Sequence, residues 1–358
     1  MSAPGQEKVG AMSVIEGHLV CGLGRSASFT QIDWVRRQLI DHAGIDPHPG
    51  TVNLELTDEE NRRRWLSWRE LPAQAIESTG VGSCRARCYP VRISGRIPAA
   101  VLVPDVEGYP ENKVELVAAL SVREHLSLDV NALIRVDLCQ PLAAKAVLFD
   151  IDGTLVDSVG AYIEVARSAA GAFGFKVTDE HVRHSLATGS NFWQGVLPPG
   201  LRDAEAVTKA LSSQAARLWP RVLKEHAKVF AGLAQTLDAL QVLGIKLGIV
   251  SGARAEVLEL LNAEGLLDRF EIIILGSDVS KKKPDPEGIL KCLSQLGVSP
   301  GETIYVGDTP VDIQASRAAG VRAVGVLNGV GDSAMLSAYW PDRLVSSHLK
   351  LPELVVAA

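Results

Sequence analysis

Two aspartates separated by a single residue follow the apolar run Ala146–Phe149. They are Asp150 and Asp152, and Gly153 comes directly after them. Residues two apart in an extended chain point the same way, so both carboxylates project from the end of one predicted strand, where parallel α/β sheets bind ligands. Adjacent carboxylates repel unless a cation binds or one is protonated. The pair suits a nucleophile with a neighbouring acid/base, although a solvated turn that merely ends a strand has the same pattern.

Three further segments supply groups that complement this pair. Ser251 ends a second apolar run, Lys283 lies on a loop stiffened by prolines, and Asp308 ends a third apolar run and is followed by Asp312. A carboxylate, a hydroxyl, an ammonium and a second acidic cluster therefore occur in that order along the chain. Taken singly, each segment is an ordinary strand end or turn.

Together the four motifs resemble those of the haloacid dehalogenase superfamily, over about residues 145–350. The resemblance implies a Rossmannoid parallel sheet and an aspartyl phosphate formed on Asp150. It makes Asp152 the acid that protonates the leaving oxygen and then the base that activates water. Superfamily members that dehalogenate or cleave carbon–phosphorus bonds usually lack this second aspartate. The chain is therefore expected to be a phosphatase of a small phosphate ester, with a phosphomutase as the alternative.

The resemblance also assigns a metal and a phosphate site. Mg²⁺ would be held by Asp150, by the backbone carbonyl of Asp152 and by Asp308, since hard oxygen ligands suit this ion. Ser251 and Lys283 would bind the phosphoryl oxygens, where charge develops during transfer.

The stretch between Asp152 and Ser251 is too long for one connection in an α/β sheet, which predicts an inserted helical cap at about residues 158–230. Apolar spacing predicts one helix through Tyr162–Ala169 and another through Val207–Leu218, which Pro220 should end or kink. The segment Thr188–Asn191 is either a specificity loop or a plain interhelical turn. A helical cap in this place resembles the phosphoglycolate-phosphatase-like branch of the superfamily, which implies that it closes over a small phosphorylated metabolite.

The sequence of residues 14–138 predicts a separate domain that folds as a small β-barrel. Its short strand-like runs, separated by Gly and Pro, are His18–Cys21, Thr51–Leu56, Cys88–Ile93, Ala99–Val103, Val114–Ala118 and Leu133–Val136. The segment Gly22–Ala27 has the glycine spacing of a dinucleotide-binding turn, but the mostly β sequence after it does not fit that fold.

This first domain resembles the CTP-dependent riboflavin kinase of archaea. The resemblance is carried by Gly22–Gly24, Pro49–Leu54, Cys88–Pro90, Tyr109, Glu115 and Ser121–Leu126. It implies that CTP is held by the glycine loop, with Gly22 and Gly24, and by the segment containing Ser121 and Arg123.

The same resemblance implies a second metal site and a flavin site. Thr51 and Asn53 would ligate Mg²⁺, and Glu115 would accept the proton of the riboflavin hydroxyl as FMN forms. Two positions depart from the family pattern: Ser26 replaces a smaller loop residue, and Glu107 replaces a flavin-contacting threonine. The alternative is a non-catalytic barrel that binds flavin or nucleotide and regulates the phosphatase.

Composition limits the remaining possibilities. A chain of 358 residues suits two domains, and a net charge of -6 with a pI near 5.8 argues against nucleic acid as a partner. The sequence has no apolar run of membrane-spanning length, and Met1–Gly17 has no signal-peptide core. Five cysteines do not suggest a disulfide framework, so we expect a cytoplasmic protein.

Overall fold

The computed structural model describes residues 13–21, 29–78 and 85–358. They form two compact units. The first contains the described residues up to Pro141 together with Asp332–Ser346, and the second contains Leu142–Gly331 and Ser347–Ala358. None of the helices in the described ranges is both long and apolar enough to cross a membrane.

The first unit is built on antiparallel strands. They are β1 (Val14–Val20), β2 (Val52–Glu55), β3 (Gln74–Glu77), β4 (Arg85–Ile93), β5 (Ile97–Pro104), β6 (Lys113–Ala118) and β7 (Leu133–Leu138). Their order is β3-β4-β5-β6-β2-β1-β7, and β4 also pairs with β7. This last pairing closes six strands into a barrel and leaves β3 attached to β4. The barrel is confirmed, and β3 is the strand that sequence patterning missed.

Helices cover both sides of the barrel wall. They are α1 (Asp33–Ala43), α2 (Glu59–Arg69) and α3 (Val122–His125). On the buried strand β5, Val101 belongs to an apolar cluster with Trp65 and Trp68 of α2, whereas Leu102 belongs to a second cluster with Leu39 of α1. Successive strand residues face opposite sides, so β5 is apolar throughout because both of its faces are covered.

The second unit is an α/β sheet with helical insertions. Its strands are β8 (Leu142–Ala144), β9 (Ala146–Phe149), β10 (Val156–Asp157), β11 (Lys228–Val229), β12 (Lys246–Ser251), β13 (Ile272–Leu275), β14 (Thr303–Gly307) and β15 (Arg322–Val326). Of the two strands that follow along the chain, β16 (Arg343–Val345) belongs to the first unit and β17 (Val355–Ala357) to the second. Within this unit, five strands run parallel in the order β13-β12-β9-β14-β15. The predicted parallel sheet is confirmed, and its central strand β9 is wholly buried.

The helices of the rest of the chain are α4 (Val159–Gly171), α5 (Asp179–Thr188), α6 (Ala204–His226), α7 (Leu233–Val242), α8 (Leu258–Ala263), α9 (Glu287–Leu296), α10 (Pro310–Ala318), α11 (Ser333–Ser337) and α12 (Leu351–Leu354). Short 3-10 turns lie at Ala255–Val257, Leu267–Arg269, Pro300–Glu302 and His348–Lys350.

Helices α4, α5 and α6 form the cap. The antiparallel pair β10–β11 joins the chain segments that enter and leave it. Helix α4 contains the predicted segment Tyr162–Ala169, whereas α6 does not end at Pro220 and continues to His226. Proline removes one backbone hydrogen bond, whereas Trp219, Val222 and Leu223 are buried around it, and this packing maintains the helix past the proline.

Candidate active site

The carboxyl ends of three adjacent strands bring the predicted residues of the second unit together. Strand β9 lies between β12 and β14, with Phe149 in register with Ile249 on one side and Val306 on the other. Asp150, Ser251 and Asp308 therefore leave the sheet at one edge. All three are buried. The order of these strands along the chain does not show that they are neighbours. They are adjacent because the crossover connections of the parallel sheet place β12 and β14 on either side of β9.

Lys283 joins two of the carboxylates at this edge. Its Nζ donates to Oδ1 of Asp150 at 2.6 Å, to Oδ1 of Asp312 at 2.5 Å and to the hydroxyl of Tyr305 at 2.9 Å. Burial opposes its charge, yet the two carboxylates raise the pKa of Lys283 well above its ordinary value. The ammonium is therefore a fixed cation.

Asp150 has a carboxylate in an apolar setting beside that cation. Burial raises its pKa, Lys283 lowers it, and Asp312 and Asp152 raise it again, so that the pKa of Asp150 lies at about 7. A carboxylate with little solvation to lose is a better nucleophile, provided that a positive charge keeps it ionised.

Asp312 accepts hydrogen bonds through both of its carboxylate oxygens at the start of α10. Its Oδ1 accepts from Lys283, and its Oδ2 accepts from the backbone N of Thr309 at 3.0 Å and from the Thr309 hydroxyl at 2.5 Å. Asp312 and Thr309 thus form the capping box of α10. The cap fixes the carboxylate orientation, so Asp312 positions the Lys283 ammonium.

Asp308 lies in a tight backbone cradle. It accepts from the backbone N of Val330 at 2.7 Å and from the Thr154 hydroxyl at 3.3 Å. A Cβ on Gly153 would come within 2.2 Å of its Oδ2, and one on Gly329 within 2.0 Å. Glycine is needed at both positions because a side chain there would displace this carboxylate. Burial, and then the charges of Asp312 and Asp150, raise the pKa of Asp308 well above its ordinary value.

Carboxylate oxygens of Asp150, Asp308 and Asp312 lie within 4.8 Å of one another. Three buried acids face one ammonium, which leaves an excess of negative charge. Such an arrangement of hard oxygen donors fits a divalent cation such as Mg²⁺.

Asp152 is held by two hydroxyls that the sequence reasoning did not assign. Its Oδ1 accepts from Ser158 at 2.6 Å, and its Oδ2 accepts from Tyr162 at 2.8 Å. Burial raises the pKa of Asp152, and these two hydrogen bonds lower it to a lesser degree. Ser158 and Tyr162 are one helical turn apart at the start of the cap. That spacing was visible in the sequence, but their direction toward Asp152 was not.

A cavity of about 350 Å³ opens at these groups. Asp150, Asp152, Ser251 and Lys283 all line it. The Oγ of Ser251 accepts from the backbone N of Ala253 at 3.1 Å, which leaves the hydroxyl hydrogen available for a phosphoryl oxygen. The sheet therefore brings the four predicted catalytic side chains of this unit to one cavity.

The cap supplies the opposite wall. Gly189 and Ser190, from the segment between α5 and α6, line the cavity with Phe192 of the same connection. That segment therefore faces the site, as a specificity loop would. Lys282 and Arg254 also line the cavity, although the sequence patterns assign neither of them a role in the site.

The barrel unit contains its own cavity, of about 390 Å³. Thr51, Asn53, Ser121 and Arg123 line it. The Asn53 amide donates to the Thr51 hydroxyl at 3.0 Å, so the two predicted ligands of the second metal site are neighbours.

The other residues considered for the barrel site are Glu115, Glu107 and the residues of the glycine loop. Glu115 pairs in register with Asn53 across β2 and β6 but is not among the residues that line the cavity. Burial raises the pKa of Glu115, and a raised pKa makes a carboxylate a stronger proton acceptor. Glu107 is exposed. Gly22, Gly24 and Ser26 lie outside the described residues.

Comparison with known proteins gives two family matches. Residues 147–326, half of the chain, match the haloacid dehalogenase-like hydrolase family. Residues 19–138 match the CTP-dependent riboflavin kinase model, described as a domain of unknown function, DUF120. These matches confirm the two resemblances seen in the sequence.

Individual relatives match the second unit. Phosphoglycolate phosphatases of Shigella boydii and Salmonella paratyphi A are 30% and 32% identical to the chain over 224 residues, covering 57% of this chain and 89% of theirs. A solved Bacteroides fragilis protein described as a haloacid dehalogenase-like hydrolase is 32% identical with a TM-score of 0.50, over 57% of this chain and 97% of its own. A hydrolase of Pseudomonas syringae, 23% identical with a TM-score of 0.51 over 58% and 96% of the two chains, shares the fold.

Proposed function

Because the chain belongs to the haloacid dehalogenase-like hydrolase family, we propose that its second unit is a Mg²⁺-dependent phosphatase of a small phosphate ester. The observation that carries the proposal is the contact of Lys283 with Asp150 and Asp312, at 2.6 and 2.5 Å, in a cavity that Asp152 also lines. A fixed cation opposes the effect of burial on the nucleophilic carboxylate, and an acid with a raised pKa is next to it.

The reaction proceeds in two steps. In the first, Asp150 attacks phosphorus, the bond to the leaving oxygen breaks, and Asp152 gives that oxygen its proton. In the second, Asp152 takes a proton from water, the water oxygen attacks the phosphorus of the aspartyl phosphate, and Asp150 is released as a carboxylate with inorganic phosphate. Burial raises the pKa of Asp152 and thereby favours the protonated form needed first. Ser251 and Lys283 bind the phosphoryl oxygens throughout.

Mg²⁺ would be held by the carboxylates of Asp150 and Asp308 and by the backbone carbonyl of Asp152, with Asp312 nearby. When bound, it neutralises charge on the phosphoryl oxygens. The excess negative charge at this edge of the sheet supports its binding.

Phosphate release tests this function. The intact chain should release inorganic phosphate from members of a panel of sugar phosphates, nucleotides, FMN and phosphoglycolate when Mg²⁺ is present, and EDTA should suppress release by about a hundredfold or more. Release that EDTA leaves unchanged would contradict the metal site. Conversion of a sugar phosphate to its isomer without net phosphate release would instead identify a phosphomutase.

For the first unit we propose CTP-dependent riboflavin kinase activity. The supporting observation is the 390 Å³ cavity that Thr51, Asn53, Ser121 and Arg123 share. In this proposal Thr51 and Asn53 hold Mg²⁺ through their oxygens, and Ser121 and Arg123 bind CTP. Glu115 accepts the hydroxyl proton of riboflavin.

Formation of FMN from riboflavin, CTP and Mg²⁺ checks the kinase proposal. The assay uses the Asp150→Asn background, so that any phosphatase activity toward FMN does not hide the product. Asn53→Ala in that background should reduce FMN formation by about a hundredfold, because it removes an oxygen ligand. If neither wild type nor Asp150→Asn forms FMN, the kinase proposal is wrong, and calorimetric binding of CTP or riboflavin without turnover would identify a regulatory module.

A further inference from the structure

A second recess of about 260 Å³ opens in the cap beside the catalytic cavity. Tyr162, Phe192 and Arg254 line both spaces. Trp193 and Trp219 complete the apolar side of the recess. The recess therefore adjoins the catalytic cavity, and aromatic side chains line both spaces.

The aromatic wall begins at the proposed acid. The Tyr162 hydroxyl donates to Oδ2 of Asp152, and the Tyr162 ring stacks parallel to Phe192 with centroids 5.9 Å apart. The other neighbour of Tyr162 is Trp219, with centroids 4.5 Å apart. Asp152 delivers its proton to the leaving oxygen, so the organic part of the substrate must lie on this side of the phosphorus. The recess is where that part of the substrate can extend.

The two tryptophans of the recess differ in one respect. The indole nitrogen of Trp193 donates to the Ser212 hydroxyl at 2.9 Å. Trp219 is only 3% exposed, and no atom of the described residues accepts a hydrogen bond from its Nε1. The Trp219 nitrogen itself is buried, so this side chain contributes its apolar ring to the lining of the recess.

We propose that this recess binds the leaving group of the substrate and that this group carries an aromatic or heteroaromatic ring. The inference rests on the proposed phosphatase function and specifies its substrate class. A two-carbon acid such as glycolate leaves the Trp219 side of the recess empty. A ring packs against Tyr162 and Phe192, which are only partly buried, and the Trp219 ring completes the apolar lining.

The exposed Arg254 at the mouth shared by both spaces agrees with this assignment. A guanidinium stacks on aromatic rings and also binds oxygen substituents, so it can act on the edge or face of a ring held there.

Matched substrates and variants test the inference. Wild type should hydrolyse benzyl phosphate with a kcat/KM about tenfold or more above that for phosphoglycolate and above that for cyclohexylmethyl phosphate, which has the size but no π system. Trp219→Leu should lower the ratio of kcat/KM for benzyl phosphate to kcat/KM for phosphoglycolate about tenfold. Phe175→Leu is the matched control, because Phe175 packs in the same apolar cluster of the cap but lines neither cavity.

Binding of a non-hydrolysable compound gives a readout that needs no variant. Benzylphosphonate should inhibit wild type at least about tenfold more tightly than methylphosphonate. Equal inhibition by the two phosphonates, or an equal loss in Trp219→Leu and Phe175→Leu, would overturn the inference. Hydrolysis of phosphoglycolate without preference for benzyl phosphate refutes the ring site alone, whereas failure to hydrolyse any ester refutes the phosphatase proposal itself.

Discussion

Asp150→Asn should lower phosphate release by at least about a thousandfold, because an amide cannot form the aspartyl phosphate. The Asn side chain has nearly the same shape and still accepts from Lys283, so the fold should persist. Steady-state release of phosphate and rapid-quench detection of the phosphorylated protein measure the loss. Asp268→Asn makes the same chemical change at an exposed position and should keep wild-type activity.

The same substitution should also change how the free energy of unfolding depends on pH. The pKa of Asp150 is raised from 3.8 in its ordinary setting to about 7 in the folded protein. Its contribution to the free energy of unfolding is therefore fully present below pH 4 and is lost as the pH rises through about 7. Without Mg²⁺, urea unfolding of wild type should weaken over this interval more than that of Asp150→Asn. Equal pH dependence, or normal turnover in Asp150→Asn, would exclude Asp150 as the buried nucleophile.

Much of this site follows from local sequence patterns. Asp150 and Asp308 each follow a short apolar run, and parallel strands buried on both faces require such runs. The closed barrel likewise follows from repeated short strands with turn residues between them. Those patterns determine where each strand lies and where it ends, and the reactive side chains directly follow the strand ends.

Side chains that reach the site from other elements were harder to predict. The helical period identifies Tyr162 as part of an apolar face, and it does pack against Trp219 and Phe192. Its hydroxyl meets Asp152 only because α4 starts beside the strand end, a fact of tertiary placement. Tyr305 is similar: its position in the buried strand β14 indicates core, yet its hydroxyl donates to the Val250 carbonyl at 2.6 Å and contacts Lys283.

The different positions and contacts of Asp308 and Asp312 could not be predicted from the sequence. Both acids are wholly buried, and the sequence gives them the same charge four residues apart. Backbone geometry separates them. The glycine cradle holds Asp308 next to the Gly153 turn, whereas the capping box of α10 directs Asp312 toward Lys283.

Lys283→Met should strongly reduce both the stability of the protein and its turnover. The substitution removes the only ammonium that contacts Asp150 and Asp312 among the described residues and leaves both carboxylates buried. Breaking a buried pair by removing one partner costs about 3–5 kcal/mol, so the free energy of unfolding should fall by that order. Phosphate release should fall about a thousandfold, because a charge that stabilises the phosphoryl oxygens is lost.

The pH and metal dependence of that loss identify its electrostatic origin. Lys283 lowers the pKa of Asp150, which burial raises, so without Lys283 this pKa should rise further and protonation of Asp150 should relieve the repulsion. The destabilisation of Lys283→Met, measured by urea unfolding, should be smaller at pH 5 than at pH 8, and millimolar Mg²⁺ should recover part of it at pH 8. Lys281→Met, on the same loop but with its ammonium at the surface beside Asp285, should change stability by no more than about 0.5 kcal/mol. A loss in Lys283→Met that neither acid nor Mg²⁺ reduces would mean that the side chain acts through packing of its methylenes, and the charge balance proposed for this site would be wrong.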